Sequence, residues 1–245
     1  MEQANFFDDY VTEAIKVLRE QGITIRWGDD FDLFRRIISR HDERYAPAKG
    51  FNPDNYETSE LDGIWLVAYR GSGELVHTQA CRRVSVRPGM SKHLQTEANA
   101  YEPEYLSFDL DNLEVNLSPD AAKIKGDAVY HGEAWLKGGP DGIRGGSALS
   151  IFSRMMIAKA LSHWDVEYIF GLITPFTGIK GLPQRYGYSR CEQGTMRFLD
   201  QAELPNDIWL VWMTSEEARS QLRLTPRYFA EFLSPSEKAP VEKVA

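Results

Sequence analysis

The sequence has only two cysteines, Cys81 and Cys191, far apart and without CxxC or histidine-flanked spacing. That pattern does not supply a structural zinc site, so both read as reduced thiols and no metal is expected. No run of apolar residues approaches the ~20 needed to cross a bilayer. Basic residues are also in deficit, with 28 Lys and Arg against 36 Asp and Glu, a formal charge of −8. A general nucleic-acid or anionic-membrane binder, whose affinity comes from clustered Lys and Arg, is thereby excluded. The short basic run QACRRVSVR at 79–87 reads as a solvated strand edge. The opening MEQANFFDDYVTEAIKVL is acidic and has no basic start or apolar centre of a secretory signal, so a cytoplasmic protein is expected.

What remains is a chain with 42% apolar and 26% charged residues and no low-complexity run, the composition of a folded domain. The patterning predicts a single domain over 1–234, with a long insertion at about 88–126 and a disordered tail at 235–245. Val11, Ile15 and Leu18 predict a first helix ending at Gly22, and ITIRW a short strand. Phe31, Leu33, Phe34, Ile37 and Ile38 give a second helix, capped by Asp29 or Asp30. Two strands follow around the turn RGSGE. Beyond the insertion come the strand DAVYHGEAWLKG, a glycine-rich turn, a long apolar helix, the buried strand VEYIFGLI, one brief helix ending at Gly187, and a last pair of strands. The order predicts a mixed α/β (α+β) fold with a mostly antiparallel sheet and helices on both faces.

Five glycines and a proline stand just ahead of the long helix, in GGPDGIRGGSALSIFSRMMIAKAL (138–161). A plain strand-to-helix connection is one reading of so much backbone freedom. A nucleotide phosphate loop fails, because no Gly-Lys-Ser/Thr follows and GxGxxG is unmatched. The third reading is a cradle for the pyrophosphate of coenzyme A. Unpaired amides at a helix start carry the positive end of the helix dipole, and small residues let phosphates approach them. Gly145, Gly146, Ser147 and Ala148 would offer those amides, and Arg144 a charge-assisted contact.

At these residues the chain resembles the Gcn5-related N-acetyltransferase (GNAT) superfamily, the acyl-CoA N-acyltransferase fold. That family is marked by a strand, a Gln/Arg-x-x-Gly-x-Gly/Ala loop and a long central helix. In IRGGSA, Ile143 takes the first position, Gly146 the fourth and Ala148 the sixth; the first departs from the pattern, with Arg144 one place late. The resemblance covers about 22–214, and RYGYSR stands where the family carries a Gly-aromatic pair. A more distant similarity is to the acyl-homoserine lactone synthases, through RRIISRHDERYAP and the hairpin after it, although their Arg-Leu-Leu-Pro-Thr run is absent.

The resemblance implies transfer of an acetyl or acyl group from acyl-CoA to an amine, acceptor and chain length unspecified. A non-catalytic acyl-CoA-binding module and an acyl-carrier-protein-dependent enzyme stay open as alternatives, as does a homodimer. It also implies that the thioester seats where the strand carrying Glu133 splays from its neighbour, with main-chain groups of Ala134, Trp135, Leu136 and Lys137 binding the pantetheine arm. Period-two alternation would place Val129, His131, Glu133, Trp135 and Lys137 on one face. Glu133 is then the first candidate base and His131 the second, with an ordinary strand pair as the bland alternative. The family's usual acid, a Tyr four residues before the Gly-aromatic pair, falls at Pro183. Tyr186 is the candidate replacement, and Tyr188 reads as a packed aromatic.

Overall fold

The computed structural model describes residues 2–41, 46–55, 62–71, 73–103, 107–108, 110–139, 142–143, 146–199 and 207–233. In chain order the elements are α1 (Glu2–Glu20), β1 (Ile23–Gly28), α2 (Phe31–Ile38), β2 (Gly63–Arg70), β3 (Glu74–Ser85), α3 (Met90–Glu97), β4 (Leu113–Val115) and β5 (Asp127–Leu136). They continue as α4 (Ala148–His163), β6 (Tyr168–Ile173), α5 (Pro175–Ile179), α6 (Leu182–Tyr186), β7 (Arg190–Phe198), β8 (Asp207–Thr214), α7 (Ser215–Gln221) and α8 (Pro226–Leu233). The expected tail at 235–245 lies outside the described residues.

One eight-stranded sheet runs in the order β1-β2-β3-β5-β6-β8-β7-β4. Every neighbouring pair is antiparallel except β5 and β6, which α4 connects as a parallel crossover. This is the mixed, mostly antiparallel sheet that the order of elements predicted. Two apolar layers cover it. On one face α1, α4, α7 and α8 contribute Phe7, Leu18, Phe152, Met155, Leu222 and Phe229. On the other, α2, α3 and the loops around them contribute Phe34, Phe51, Met90, Leu94, Tyr101 and Phe108.

α4 is apolar around its circumference because the sheet lies on one side and α1, α6, α7 and α8 on the other. Its Met155 and Met156 are fully buried packing residues. α2 begins where the side chain of Asp30 accepts the amide of Leu33 at 2.9 Å, so Asp30 and not Asp29 is the cap.

Within the expected insertion at 88–126 the described residues form α3, short 3-10 turns and β4, which crosses to the far edge of the sheet and pairs with β7. β4 is three residues long, too short for an alternating pattern to register. Two expectations are corrected. The brief helix before Gly187 is two helices, α5 and α6, separated at Gly181, whose φ of +68° is left-handed backbone that interrupts a helix. Nor does β5 alternate along its whole length. Thr78 pairs with Trp135 and Ala80 with Gly132, so β5 holds one residue more than β3 between those rungs, a β-bulge. Before the bulge Val129 faces the α4 layer and Tyr130 the α2 layer; after it Leu136 faces α4 and Trp135 packs toward α2.

Candidate active site

β5 and β6 pair only from Ala128–Tyr168 to Tyr130–Phe170, yet β5 runs on to Leu136 and β6 to Ile173. Beyond the last rung the two strands part, and a cavity of about 500 Å³ fills the gap. His131 to Trp135 of β5 and Gly171 to Ile173 of β6 form its sides. Tyr186 and Tyr188 close it from the α4 face, and Tyr101, Phe108 and Ile208 from the α2 face.

The bulge falls at Glu133, a non-glycine residue with a positive φ of 55°, backbone that costs about 1 kcal/mol or more outside glycine. Two of its bonds help to hold it there. The hydroxyl of Thr78 donates to the Glu133 carbonyl at 2.9 Å, and Glu133 Oε1 accepts the amide of Ala48 at 2.9 Å. The carboxylate therefore turns to the α2 layer and ties down the chain that follows α2. His131 turns the other way. Its Nδ1 lies 3.1 Å from the Tyr188 hydroxyl, and its Nε2 lies 3.1 Å from Gln79 Oε1. The expected common face of Val129, His131, Glu133, Trp135 and Lys137 is thus overturned: the extra residue of the bulge reverses the alternation between His131 and Trp135.

Burial sets the electrostatics. His131 is 6% exposed, and loss of hydration pushes its pKa down to about 4, so the ring is neutral near pH 7. Burial raises the phenol of Tyr186 to about 12 and that of Tyr188 well above its ordinary value. The Tyr186 ring stands edge-on to His131 with centroids 6.1 Å apart.

The remaining expected ligand residues divide by place. Ala134 is exposed in the cavity wall beside Trp135. The carbonyl of Trp135 lies 2.6 Å from His77 Nδ1, which holds it toward β3. Lys137 donates its amide to Val76, accepts the amide of Ile143, and pairs its ammonium with Glu74. Leu136 is a core residue of the α4 layer. At the glycine turn, Arg144 and Gly145 lie outside the described residues. The space at Gly146 is open where a Cβ would stand. Ser147 precedes α4 without capping it, and its hydroxyl accepts from Gln21 at 3.4 Å. Ala148, the first residue of α4, is buried. Arg185 donates to the Gly146 carbonyl at 2.8 Å, which brings a second arginine to the turn. Gly146, Ser147 and Ala148 do not line the cavity; they stand at the N-terminal end of α4.

No family model and no curated protein matches the chain. Solved structures do. NAA60 of Arabidopsis thaliana bound to acetyl-CoA matches at 14% identity, covering 79% of this chain and 99% of that one, with a TM-score of 0.44. FeeM, an N-acyl amino acid synthase from uncultured soil microbes, matches at 14% identity over 82% and 95%, with a TM-score of 0.45. The aminoglycoside acetyltransferase AAC(6')-Ib with coenzyme A and kanamycin matches at 12% identity over 82% and 99%, with a TM-score of 0.43.

Sequence reasoning did not single out Gln79, and Tyr188 packs in the α4 layer as expected while its hydroxyl also meets His131. The signal for Gln79 was present: His77, Thr78 and Gln79 are consecutive polar residues within a strand, and all three are fully buried. Buried polar groups need partners, so such a run marks side chains that hydrogen-bond to neighbouring elements. Tyr188 carried no comparable signal, because its partner His131 is 57 residues away. Among the described residues no cluster of three or more His, Cys, Asp or Glu is placed to hold a metal. Nor is any described helix long and apolar enough to cross a membrane.

Proposed function

We propose that the protein is an N-acyltransferase that moves an acyl group from coenzyme A to an amine by direct attack. The observation that carries this reading is the parting of β5 from β6, with a cavity in the gap and titratable side chains in its wall. An extended thioester arm fits between parted strands as an added strand. Trp135 and Lys137 already direct main-chain groups at β3, which leaves exposed Ala134 to bind the arm. The pyrophosphate goes to the start of α4, where Gly146, Ser147 and Ala148 present first-turn amides without a side-chain cap and Arg185 adds charge. Glu133, a carboxylate in the cavity wall, attracts an ammonium acceptor.

One observation favours an acyl chain longer than acetyl. Tyr101, Phe108, Leu172 and Ile208 line the cavity on the α2 face with apolar side chains against which an acyl chain would lie. Burying each further methylene is worth about 0.8 kcal/mol.

Calorimetric titration with acetyl-, octanoyl- and palmitoyl-CoA, followed by thiol release over a panel of amines, tests the reading. Binding with release of free thiol in the presence of an amine is expected, with tighter binding of the longer chains. Binding without turnover for any amine would favour a binding module, and no binding of any acyl-CoA would end the proposal.

A further inference from the structure

We propose that Tyr188, rather than Glu133, takes the proton from the attacking amine, handing its own phenolic proton to His131 along a hydrogen-bond chain whose direction is fixed by α4. The proposal rests on the acyl-transfer reading above and names the proton path within it.

The chain begins at a group that can only accept. The carbonyl of Phe152 in α4 lies 2.7 Å from the side-chain nitrogen of Gln79. Reversing that amide would set oxygen against oxygen, so the Gln79 NH₂ donates to Phe152 and Gln79 Oε1 points at His131. An oxygen acceptor 3.1 Å from His131 Nε2 requires the proton on Nε2. The other nitrogen, Nδ1, then carries a lone pair, and the Tyr188 hydroxyl 3.1 Å away donates to it. Each step follows from the one before, and the result is one tautomer and one orientation of the phenol.

That orientation decides the chemistry. With its hydrogen committed inward, Tyr188 shows the cavity only lone pairs, and a lone pair there accepts an amine N–H. The hydroxyl also stands at the right place. A Cβ on Gly171 would lie 3.3 Å from Tyr188 Oη and 3.0 Å from the His131 carbonyl, next to the last rung of β5 and β6. Glycine at 171 leaves the room that the phenol occupies at the mouth of the gap. Glu133 stands across β5, its carboxylate bonded to the Ala48 amide.

The step balances without a further reagent. The acceptor sheds its ammonium proton to solvent before attack; the lone pair of the neutral amine then forms the C–N bond, and the C–S bond breaks with its electron pair on sulfur. The amine proton moves to Tyr188 Oη as the phenolic proton moves to His131 Nδ1. The reverse shuttle then returns a proton to the thiolate, so the same pair acts as acid and the position of Pro183 loses its importance. Among the described residues Cys81 of β3, Tyr186 of α6 and, from the other face of β5, Tyr130 act electrostatically on Tyr188, and burial pushes all three toward their neutral forms.

The test combines kinetics with nitrogen NMR on the full chain. Tyr188→Phe is expected to lower kcat on the order of 10²- to 10⁴-fold, with acyl-CoA affinity held within about twofold. His131→Gln should lose a similar factor, and the double variant no more than either single one, as for residues acting as a unit. In the free protein, the His131 nitrogens should show the Nε2–H tautomer, and Gln79→Leu should mix the tautomers. Wild-type turnover by Tyr188→Phe, or an Nδ1–H tautomer at His131, overturns the proposal alone. A wild-type protein that binds no acyl-CoA ends the acyl-transfer reading and the proposal with it.

Discussion

Two buried histidines make this fold sensitive to mild acid, and the size of the effect follows from their surroundings. His131 and His93 are each 6% exposed, and burial lowers both pKa values from 6.5 to about 4. For His93, in α3 and bonded to the Tyr101 hydroxyl, nearby Arg82 adds to the fall and Glu97 opposes it. The unfolded chain takes up a proton on each ring as pH falls through 6.5, whereas the folded chain does so only near 4. Between those limits the unfolded state binds more protons, so stability drops as pH drops. It is unaffected by these groups above 6.5. A shift of that size corresponds to about 3 kcal/mol per histidine at pH 4, at 1.36 kcal/mol per unit. Two such losses are comparable to the 5–15 kcal/mol that holds a typical domain together. Urea midpoints measured from pH 4.5 to 7.5 provide the assay. Between pH 5 and 6 the wild type should lose up to about 1.4 kcal/mol per pH unit more than His93→Gln or His131→Gln. Superimposable pH dependences for the wild type and both variants would refute the argument, because only histidines with the same pKa folded and unfolded leave no such difference.

Two further outcomes follow from packing. Gly171→Ala puts a methyl 3.0 Å from the His131 carbonyl and 3.2 Å from Val211, and should cost about 1–3 kcal/mol in thermal denaturation while weakening acyl-CoA binding by narrowing the gap. Met155→Ala empties a fully buried site in α4 and should cost about 2–5 kcal/mol in the urea midpoint without changing the pH dependence above.

The first helix, the second helix with its cap, the hairpin of β2 and β3, α4 and the buried β6 were legible because each carries a local pattern. Apolar spacing, a capping aspartate or a glycine stop acts over a few residues, and tertiary context agreed with it. The elements that escaped lacked such a signal. β4 is three residues long, and its partner β7 is some 80 residues away in sequence. The break between α5 and α6 rests on one left-handed glycine in a segment already rich in turn residues.

The candidate site divides along the same line. Sequence alone singled out the strand with His131 and Glu133 and the glycines before α4, because titratable and small residues in those contexts are chemically conspicuous. Which way each side chain points was decided by tertiary structure. One extra residue in β5, a length mismatch with β3 that has no signature within β5 itself, sends Glu133 to Ala48 and leaves His131 with Gln79 and Tyr188. Local propensity acts through neighbours along the chain, but a bulge and a hydrogen-bond chain are agreements between strands and helices distant in sequence. Their direction exists only once the sheet and α4 have closed on each other.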